Sequence, residues 1–220
     1  MNIKQKKIYY SLLNDILILK HLPNETLRER QLAKKYKTSR TTIRQILQKL
    51  ATEGIIYIKP RSQTIVKKIN IKKITESFLL RESLEKTLSL LILKNIKKKN
   101  LFYLADNIEK QKKTLKNYNT KKMHKYIFLD NDFHKYLFGI VNLKNFWDIL
   151  YNYSFDLNRL RYLAVFERKR AVESTKEHLD IFIAIKKNNY KNLKKNIKKH
   201  LDSSKDNFNK MIKTNSDMIE

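Results

Sequence analysis

The chain has 220 residues, with 49 lysines and arginines against 21 acidic residues, and its formal net charge is +28 at pH 7. Such an excess indicates a polyanionic partner, nucleic acid before an anionic membrane surface. The absence of cysteine excludes disulfides and thiolate metal sites. No apolar run is long enough to span a bilayer, and the N-terminus lacks the apolar core of a signal peptide. We therefore expect a cytoplasmic protein with no membrane partner.

The first part of the chain is predicted to contain two helices and a tight turn. With only two glycines and two prolines, the whole chain is expected to be mainly helical. Apolar periodicity predicts helices over residues 4–20 and Glu25–Tyr36, and Asn24 is expected to supply a positive φ in the turn between them. A short turn at Lys37-Thr38 leads into a third helix, which completes a helix-turn-helix.

The third helix is predicted to start after an N-cap at Thr38 or Ser39 and to end at Gly54. One side carries apolar residues at helical spacing, which predicts a buried stripe: Ile43, Ile46, Leu47, Leu50 and Ala51. The opposite side carries the groups that read base edges in a DNA major groove: Arg40, Thr41, Arg44, Gln45 and Gln48. An ordinary surface helix with a solvated polar face has the same pattern. The elements on either side of the helix must therefore distinguish a DNA-reading helix from a surface helix.

After Gly54 the pattern changes to two short β-branched runs, at residues 55–58 and 64–66, joined by a basic tip. Three helices and a β-hairpin predict a winged helix-turn-helix over residues 1–67. An unrelated small α+β domain is the alternative. Residues 68–73 are predicted to be a charged linker.

The rest of the chain is predicted to be an all-α antiparallel helical bundle over residues 74–213, followed by a frayed tail over 214–220. The predicted helices cover residues 74–94, 101–118, 121–140, 145–170, 175–187 and 190–211. The predicted fold class is thus mainly α, a winged helix-turn-helix followed by about six helices. The lysine runs at 97–99 and 194–199 are interpreted as solvated faces rather than as further DNA contacts.

Four residues of the second domain have the spacing of a metal site. Asp130 and His134 are four residues apart, on one face of a helix. His178 and His200 lie on either side of a predicted turn at Asn188-Asn189, each ~16 Å from it at the rise of an α-helix. One carboxylate and three imidazoles suit zinc, nickel, manganese or iron. Histidines that are merely packed or exposed are the alternative.

The N-terminal motifs carry a resemblance to a known family. Leu27-x-Glu29-x-x-Leu32-Ala33, followed by the segment SRTTIR at residues 39–44, resembles the DNA-binding domain of GntR-family bacterial transcription regulators. The resemblance implies operator contacts from four residues: Arg30, Arg40, Thr41 and Arg44. Two positions depart from the family pattern. Gln63 replaces a wing glycine, which puts the wing's minor-groove contact in doubt, and Lys37 replaces a turn glycine at a cost of ~1 kcal/mol.

The second domain resembles the FCD (FadR C-terminal domain) subgroup of that family. The matching motifs are Arg81-x-x-x-Glu85, Asp130-x-x-Phe133-His134, Glu177-His178 and His200-Leu201. The resemblance implies that a divalent metal ion, zinc first, is bound by four ligands: Asp130, His134, His178 and His200. It also implies that the ion helps to hold a small carboxylate effector.

Three arginines are candidates for the effector's carboxylate, because a planar guanidinium suits that group: Arg81, Arg159 and Arg161. Structural salt bridges, or positions outside the bundle, are the alternatives for each of them.

The predicted function is therefore not enzymatic. We expect a homodimeric, effector-responsive transcription regulator that places two recognition helices on a palindromic DNA operator in the bacterial nucleoid. One alternative is a metal-dependent hydrolase, for which the sequence places no obvious general base. Another is a nonspecific basic nucleic-acid-binding protein.

Overall fold

A computed structural model describes residues 1–59, 63–116, 119–164 and 168–220. The chain forms two compact units, Met1–Ile71 with Asn215–Glu220, and Lys72–Thr214. Parts of three predicted elements lie outside the described residues: the wing tip at 60–62, the helix end at 117–118, and residues 165–167 of the helix predicted for 145–170. Within the described ranges, no helix is both long enough and apolar enough to cross a membrane.

The first unit is a winged helix-turn-helix, as predicted. It contains α1 (Ile3–Leu17), α2 (Glu29–Lys35), α3 (Arg40–Thr52), β1 (Ile56–Ile58) and β2 (Thr64–Val66). The strands pair antiparallel with Ile56 opposite Val66, and Thr26 forms a further bridge to Ile65. The α3 stripe is buried as predicted except at Ala51, which is half-buried. These side chains form the core that holds the polar face of α3 outward.

The turns of this unit follow the predicted chemistry. Ser39 is the N-cap of α3, and its Oγ accepts a hydrogen bond from the Thr42 amide at 3.1 Å. Positive φ values occur at Asn24 (68°), Lys37 (48°) and Gly54 (75°). Lys37 thus adopts a left-handed conformation that costs a residue with a Cβ free energy relative to glycine.

The predicted linker and tail differ from the structure. Helix α4 already begins at Ile71, and a 3₁₀ helix over Ser216–Met218 leads to Ile219, which forms a parallel bridge with Ile69. The Ile69 amide donates to Met218 O, and the Glu220 amide donates to Ile69 O, both at 2.9 Å. Both isoleucines are buried, so their apolar contact orders a segment that looks like a solvated tail when read alone.

The second unit contains seven helices in its described residues, one more than predicted. They are α4 (Ile71–Asn95), α5 (Lys98–Leu115), α6 (Thr120–Ile140), α7 (Lys144–Tyr153), α8 (Phe155–Ala164), α9 (Arg168–Lys186) and α10 (Tyr190–Thr214). The single helix predicted for residues 145–170 is wrong, because the chain breaks at the buried Ser154 and α9 starts earlier than expected. Helices α9 and α10 form the predicted antiparallel hairpin, with Asn188 at φ 51° in its turn.

The core of this unit surrounds the metal-site candidates. Apolar residues from six helices form one cluster, which includes Leu88, Leu104, Phe133, Trp147, Ile181 and Ile197. Phe133 precedes His134 on α6 and stacks on the ring of His178 with centroids 4.3 Å apart. Polar side chains next to this cluster are therefore held in fixed positions by packing.

Candidate metal centre and DNA-reading surface

Three of the four predicted ligands meet inside the second unit. His134 (α6), His178 (α9) and His200 (α10) are at most 2% exposed, and one ligand atom from each lies within 4.8 Å of the others. The His178 and His200 rings have centroids 4.8 Å apart, as expected for residues level with each other in the α9–α10 hairpin. The spacing argument for His178 and His200 is therefore confirmed, whereas their meeting with His134 was implied only by the family resemblance.

The spacing of the imidazoles matches the needs of one metal ion. His134 Nε2 and His200 Nε2 are 3.2 Å apart. Two nitrogens that each lie ~2.0–2.1 Å from a tetrahedral ion are separated by about 3.3 Å. These two atoms therefore occupy positions that two ligands of one first-row ion require.

The outer nitrogens of two of these histidines face carboxylates. His200 Nδ1 donates to Glu177 Oε2 at 2.9 Å. His134 Nδ1 lies 3.3 Å from Glu85 Oε2, which is close enough for an ion pair. The angle between the two groups does not meet the geometry of a hydrogen bond. A carboxylate behind Nδ1 orients the ring and leaves Nε2 unprotonated for a metal.

His178 is oriented by an amide instead. Its Nδ1 donates to Gln111 Oε1 at 3.0 Å, and the Gln111 Nε2 donates to Asn107 Oδ1 at 2.8 Å, which fixes the direction of the amide. His178 Nε2 is buried and has no hydrogen-bond partner in the part of the chain that the structure describes. A buried nitrogen without a partner is costly, and a metal ion in front of it removes that cost.

The protonation states favour metal binding. Burial lowers the pKa of both His134 and His178, so these rings are neutral near pH 7. His134 Nε2 accepts a hydrogen bond from Arg81 Nη2 at 3.2 Å, which a metal ion would have to displace. Burial raises the pKa of Glu177, but hydrogen bonds from His200 and Arg170 outweigh that effect and lower the pKa to about 2. The neutral rings of His134 and His178 therefore lie in one site with the ionised carboxylate of Glu177.

Asp130, the fourth predicted ligand, lies beside the histidines in an ion pair. Its Oδ1 is 3.8 Å from His178 Nε2, and its Oδ2 accepts a hydrogen bond from Arg161 Nη2. Burial opposes ionisation of Asp130, but Arg161 and the histidines keep its pKa well below its usual range. Asp130 is not in the group that the distances define, which contains the three histidines alone among the described residues.

A small cavity adjoins this site. It has a volume of about 60 Å³, and its polar lining includes Arg81, Asp130, Arg161, Arg170, Ser174 and His200. Two of the three predicted effector arginines, Arg81 and Arg161, therefore reach it. Arg159 does not, since it is 1% exposed and donates to Asp156 at 3.1 Å within the core.

Sequence reasoning missed two residues of this site. Arg170 lines the cavity and donates to both carboxylate oxygens of Glu177, at 3.1 and 2.8 Å. The seven-residue spacing places both on one face of α9, which is a signal in the sequence. Gln111 carried a weaker signal: with Asn107 and Thr114 it is one of three polar residues on the buried side of α5.

The DNA-reading candidates lie on the surface of the first unit. Arg30, Arg40, Thr41 and Arg44 are all exposed. Arg44 donates from Nε and Nη2 to the two carboxylate oxygens of Glu29, each at 3.0 Å, and Arg40 Nη2 is 3.9 Å from the same carboxylate. Glu29 on α2 therefore holds the guanidinium of Arg44 in a planar, bidentate pair.

A backbone hydrogen bond joins the two strands of the wing beyond their paired residues. The Gln63 carbonyl accepts a hydrogen bond from the Lys59 amide at 2.8 Å, and both residues are exposed. The basic tip between them, residues 60–62, lies outside the described residues, so the effect of Gln63 on a minor-groove contact is not tested.

Comparisons with known proteins agree with these two units. The sequence family described as "Bacterial regulatory proteins, gntR family" matches residues 4–66, and the FCD domain family matches residues 76–203. The HTH-type transcriptional repressor RspR of Escherichia coli (strain K12) is 24% identical over 212 residues, which are 96% of this chain and 92% of RspR. The regulator YdhC of Bacillus subtilis (strain 168) is 24% identical over 180 residues, 82% of this chain and 80% of YdhC.

Solved structures show the same fold. E. coli McbR/YncC has a TM-score of 0.77 at 14% identity, covering 96% of this chain and 99% of that one. Lar, which controls expression of the agr system of Listeria monocytogenes, has a TM-score of 0.64 at 14% identity, covering 96% and 98%.

Proposed function

Because the chain belongs to the FCD subgroup of the GntR family, and is thus a DNA-binding transcription regulator, we propose that a small carboxylate effector controls its operator binding. The effector binds at a metal ion in the second unit. The observation that carries this proposal is the convergence of three buried imidazoles, with His178 Nε2 left without a hydrogen-bond partner among the described residues.

The metal ligands are His134, His178 and His200, with Asp130 as the fourth. Zinc suits this donor set best, and nickel, manganese or iron are alternatives. The bound ion supplies a positive charge and an open coordination position for an anionic ligand. Asp130 becomes a ligand when its carboxylate leaves the ion pair with Arg161 and binds the metal ion instead.

The charges around the site favour an anionic effector. Three buried carboxylates are each paired with one arginine: Glu85 with Arg81, Asp130 with Arg161, and Glu177 with Arg170. The charges of each pair cancel, so a bound divalent ion would add an excess of two positive charges that no carboxylate neutralises. An uncompensated charge in a protein interior costs free energy. A carboxylate effector lowers that excess.

The size of the cavity limits the effector to a small molecule. A volume of about 60 Å³ holds roughly four to six water-sized groups at 10–15 Å³ each. Arg81, Arg161 and Arg170 line it, so the effector's carboxylate can meet guanidinium groups as well as the ion. A short-chain carboxylic acid is the size that this cavity accepts.

DNA recognition is assigned to the first unit. Arg40, Thr41 and Arg44 read base edges from the exposed face of α3, and Arg30 supports the contact from α2. The protein acts in the cytoplasm as a homodimer on a palindromic operator. Effector binding at the metal shifts the equilibrium between two states of the protein that differ in operator affinity.

The hydrolase alternative has weaker support. Each carboxylate of the site is paired with an arginine, and the pKa of Glu177 is about 2. A carboxylate with so low a pKa is a poor general base near pH 7.

Metal binding can be tested through Trp147, the only tryptophan of the chain. Its ring is nearly parallel to that of His134 (6° between planes), with centroids 6.0 Å apart. Titration of metal-free protein with zinc, nickel or manganese should change Trp147 fluorescence, and elemental analysis should find bound metal. His178→Ala and His200→Ala should lose both signals, whereas the control His124→Ala should retain them. Unchanged metal content in both site variants would rule out this centre.

Operator reading can be tested once genome-wide mapping of bound DNA has identified an operator. Arg44→Ala should weaken operator binding by about 1–3 kcal/mol and random-sequence binding much less. Lys49→Ala is the matched control, because Lys49 is exposed on the same helix and pairs with Glu53. An equal loss on both DNAs for Arg44→Ala would favour the nonspecific nucleic-acid-binding alternative.

A further inference from the structure

Most of the chain's excess charge lies outside its DNA-reading unit. Residues 72–214 contain 33 lysines and arginines against 15 acidic residues, an excess of 18 out of the total of 28. Helix α10 has five lysines and no acidic residue between Lys191 and Lys199. The second unit therefore carries about as much excess positive charge per residue as the DNA-reading unit, although only an effector site is assigned to it.

Some of these lysines line a groove between α4 and α10. The groove has a volume of about 470 Å³ and is lined by Lys86, Tyr190, Lys191, Lys194, Lys195 and Lys198. Lysine stems cover apolar surface while their ammonium groups stay in water. The groove therefore has an aliphatic wall and a cationic rim.

The cationic rim is only partly neutralised. Lys86 pairs with Glu82, and Lys198 Nζ lies 2.6 Å from Asp202. Lys191, Lys194 and Lys195 are exposed and have no ion-pair or hydrogen-bond partner elsewhere in the described residues. Three ammonium groups are thus available to an external anion.

The position of these lysines on α10 is unfavourable for the isolated protein. The first turn of α10 contains no acidic residue, and cations near a helix N-terminus oppose the helix dipole. Lys191 and Lys195, like Lys194 and Lys198, are also four residues apart, where like charges destabilise a helix. A bound polyanion relieves both effects.

We propose that this lysine groove is a second DNA contact, which binds the phosphate backbone without reading sequence. The proposal rests on the proposed function in one respect, that duplex DNA is the partner. Lys191 to Lys198 extend ~10 Å along the helix axis at 1.5 Å per residue, about the length of three phosphates of one strand. It departs from the interpretation of residues 194–199 as a purely solvated face.

DNA is favoured over other polyanions because the same chain already carries a DNA-reading helix. A second cationic surface then adds affinity through counterion release, which depends on salt and not on sequence. An anionic membrane or an acidic protein has no second observation in its favour.

The test compares two triple variants of the full chain on a random-sequence duplex of about six helical turns (~60 base pairs). The groove variant carries Lys191→Gln, Lys194→Gln and Lys195→Gln. The control carries Lys110→Gln, Lys112→Gln and Lys135→Gln, three lysines of the same unit that are each paired with an acidic residue. Both variants lose the same charge, and circular dichroism verifies that both are folded.

The dissociation constant is measured as a function of salt concentration. The slope of log K against log salt should fall by about 2–3 in the groove variant, at ~0.9 per lost phosphate contact, and should stay unchanged in the control. Equal changes in the two variants would mean that only overall charge matters, and no change in either would mean that DNA does not enter the groove. Both results overturn the proposal.

A parallel measurement with phosphatidylglycerol vesicles separates a membrane surface from DNA. In one outcome, the groove variant loses vesicle binding that the control retains, while its DNA salt slope stays that of the wild type. That result would overturn the proposal and favour a membrane as the partner. Failure of the proposed function would give a different result, namely a wild-type protein that binds no DNA sequence in preference to another. The salt slopes of the two variants could still be compared in that case, so the two failures are distinguishable.

Discussion

His134 Nε2 and His200 Nε2 face each other at 3.2 Å in the buried interior, although the two residues are 66 positions apart in the chain. The Nδ1 atoms of both rings face the carboxylates of Glu85 and Glu177. Arg81 Nη2 also lies 3.2 Å from His134 Nε2, so this nitrogen faces a guanidinium as well as a second imidazole. The groups that contact these rings should therefore set the affinity of the proposed metal ion.

The first prediction concerns Gln111, whose Oε1 accepts the hydrogen bond from His178 Nδ1. Gln111→Leu removes the group that orients this ring, and metal affinity should fall 10–100-fold, as is typical for partners of metal-bound histidines. Competition with a chromophoric chelator measures the affinity. Gln111→Glu should restore binding, because a carboxylate can also accept the hydrogen bond.

Thr114→Val is the control for this prediction. Thr114 is buried on the same helix, and its hydroxyl donates to Lys110 O. The variant should leave metal affinity unchanged. A wild-type affinity in Gln111→Leu would show that Gln111 does not position His178 for a metal.

The second prediction concerns the left-handed residue of the helix-turn-helix. Lys37→Gly should stabilise the first unit by about 0.5–1 kcal/mol, because glycine adopts φ 48° without strain. Urea unfolding followed by far-UV circular dichroism measures the change. Lys34→Gly, three residues earlier inside α2, should destabilise the unit by about 1 kcal/mol. A destabilising effect of Lys37→Gly would contradict the strain argument.

The third prediction is a pH dependence centred on Asp15, which is buried and binds Lys35 Nζ at 2.7 Å and Lys20 Nζ at 3.3 Å. Burial raises the pKa of Asp15, but the two lysines outweigh it and hold the pKa below 3.8. The unfolded state therefore binds more protons as the pH falls through 3.8. The stabilisation is present above pH 3.8 and is lost progressively as the pH falls below it, through the lowered pKa of the folded protein.

Asp15→Asn should cost about 1–2 kcal/mol at pH 6 and should weaken the loss of stability between pH 5 and pH 3. Circular dichroism follows unfolding of the whole chain, and Trp147 fluorescence follows the second unit alone. Asp217→Asn, an exposed change in the same unit, is the control and should keep the wild-type profile. An unaltered profile in Asp15→Asn would assign the acid sensitivity to other carboxylates.

The fourth prediction concerns the segment that pairs with Ile69. Ile219→Asp places a charge at a position that is 7% exposed. The segment 215–220 should detach from Ile69, because the new carboxylate is hydrated only when the bridge between residues 69 and 219 opens. Hydrogen exchange should accelerate at the Ile69 and Ile71 amides, which donate to Met218 O and Glu220 O at 2.9 Å. Ser216→Asp adds the same charge at an exposed position and should leave exchange unchanged; acceleration in both variants would refute the role of Ile219.

Much of the first unit was predictable because its signals are local. The α3 stripe, the Ser39 cap and the positive φ values at Asn24 and Gly54 each depend on residues within one or two turns. Local periodicity fixes which face of a helix is buried, and turn residues fix where it ends. The same reasoning failed at Ser154, where no glycine or proline marks the break between α7 and α8.

The sequence by itself determined the class of the fold, the polar face of α3 and the level positions of His178 and His200, because these follow from spacing along helices and across one turn. Only the tertiary structure decided that Gln111 orients His178, that Arg170 reaches the cavity and that Ile219 pairs with Ile69. Each of these partners lies on a different segment of the chain. Their meeting depends on how helices pack and which polar groups burial forces to pair, and no local pattern encodes that.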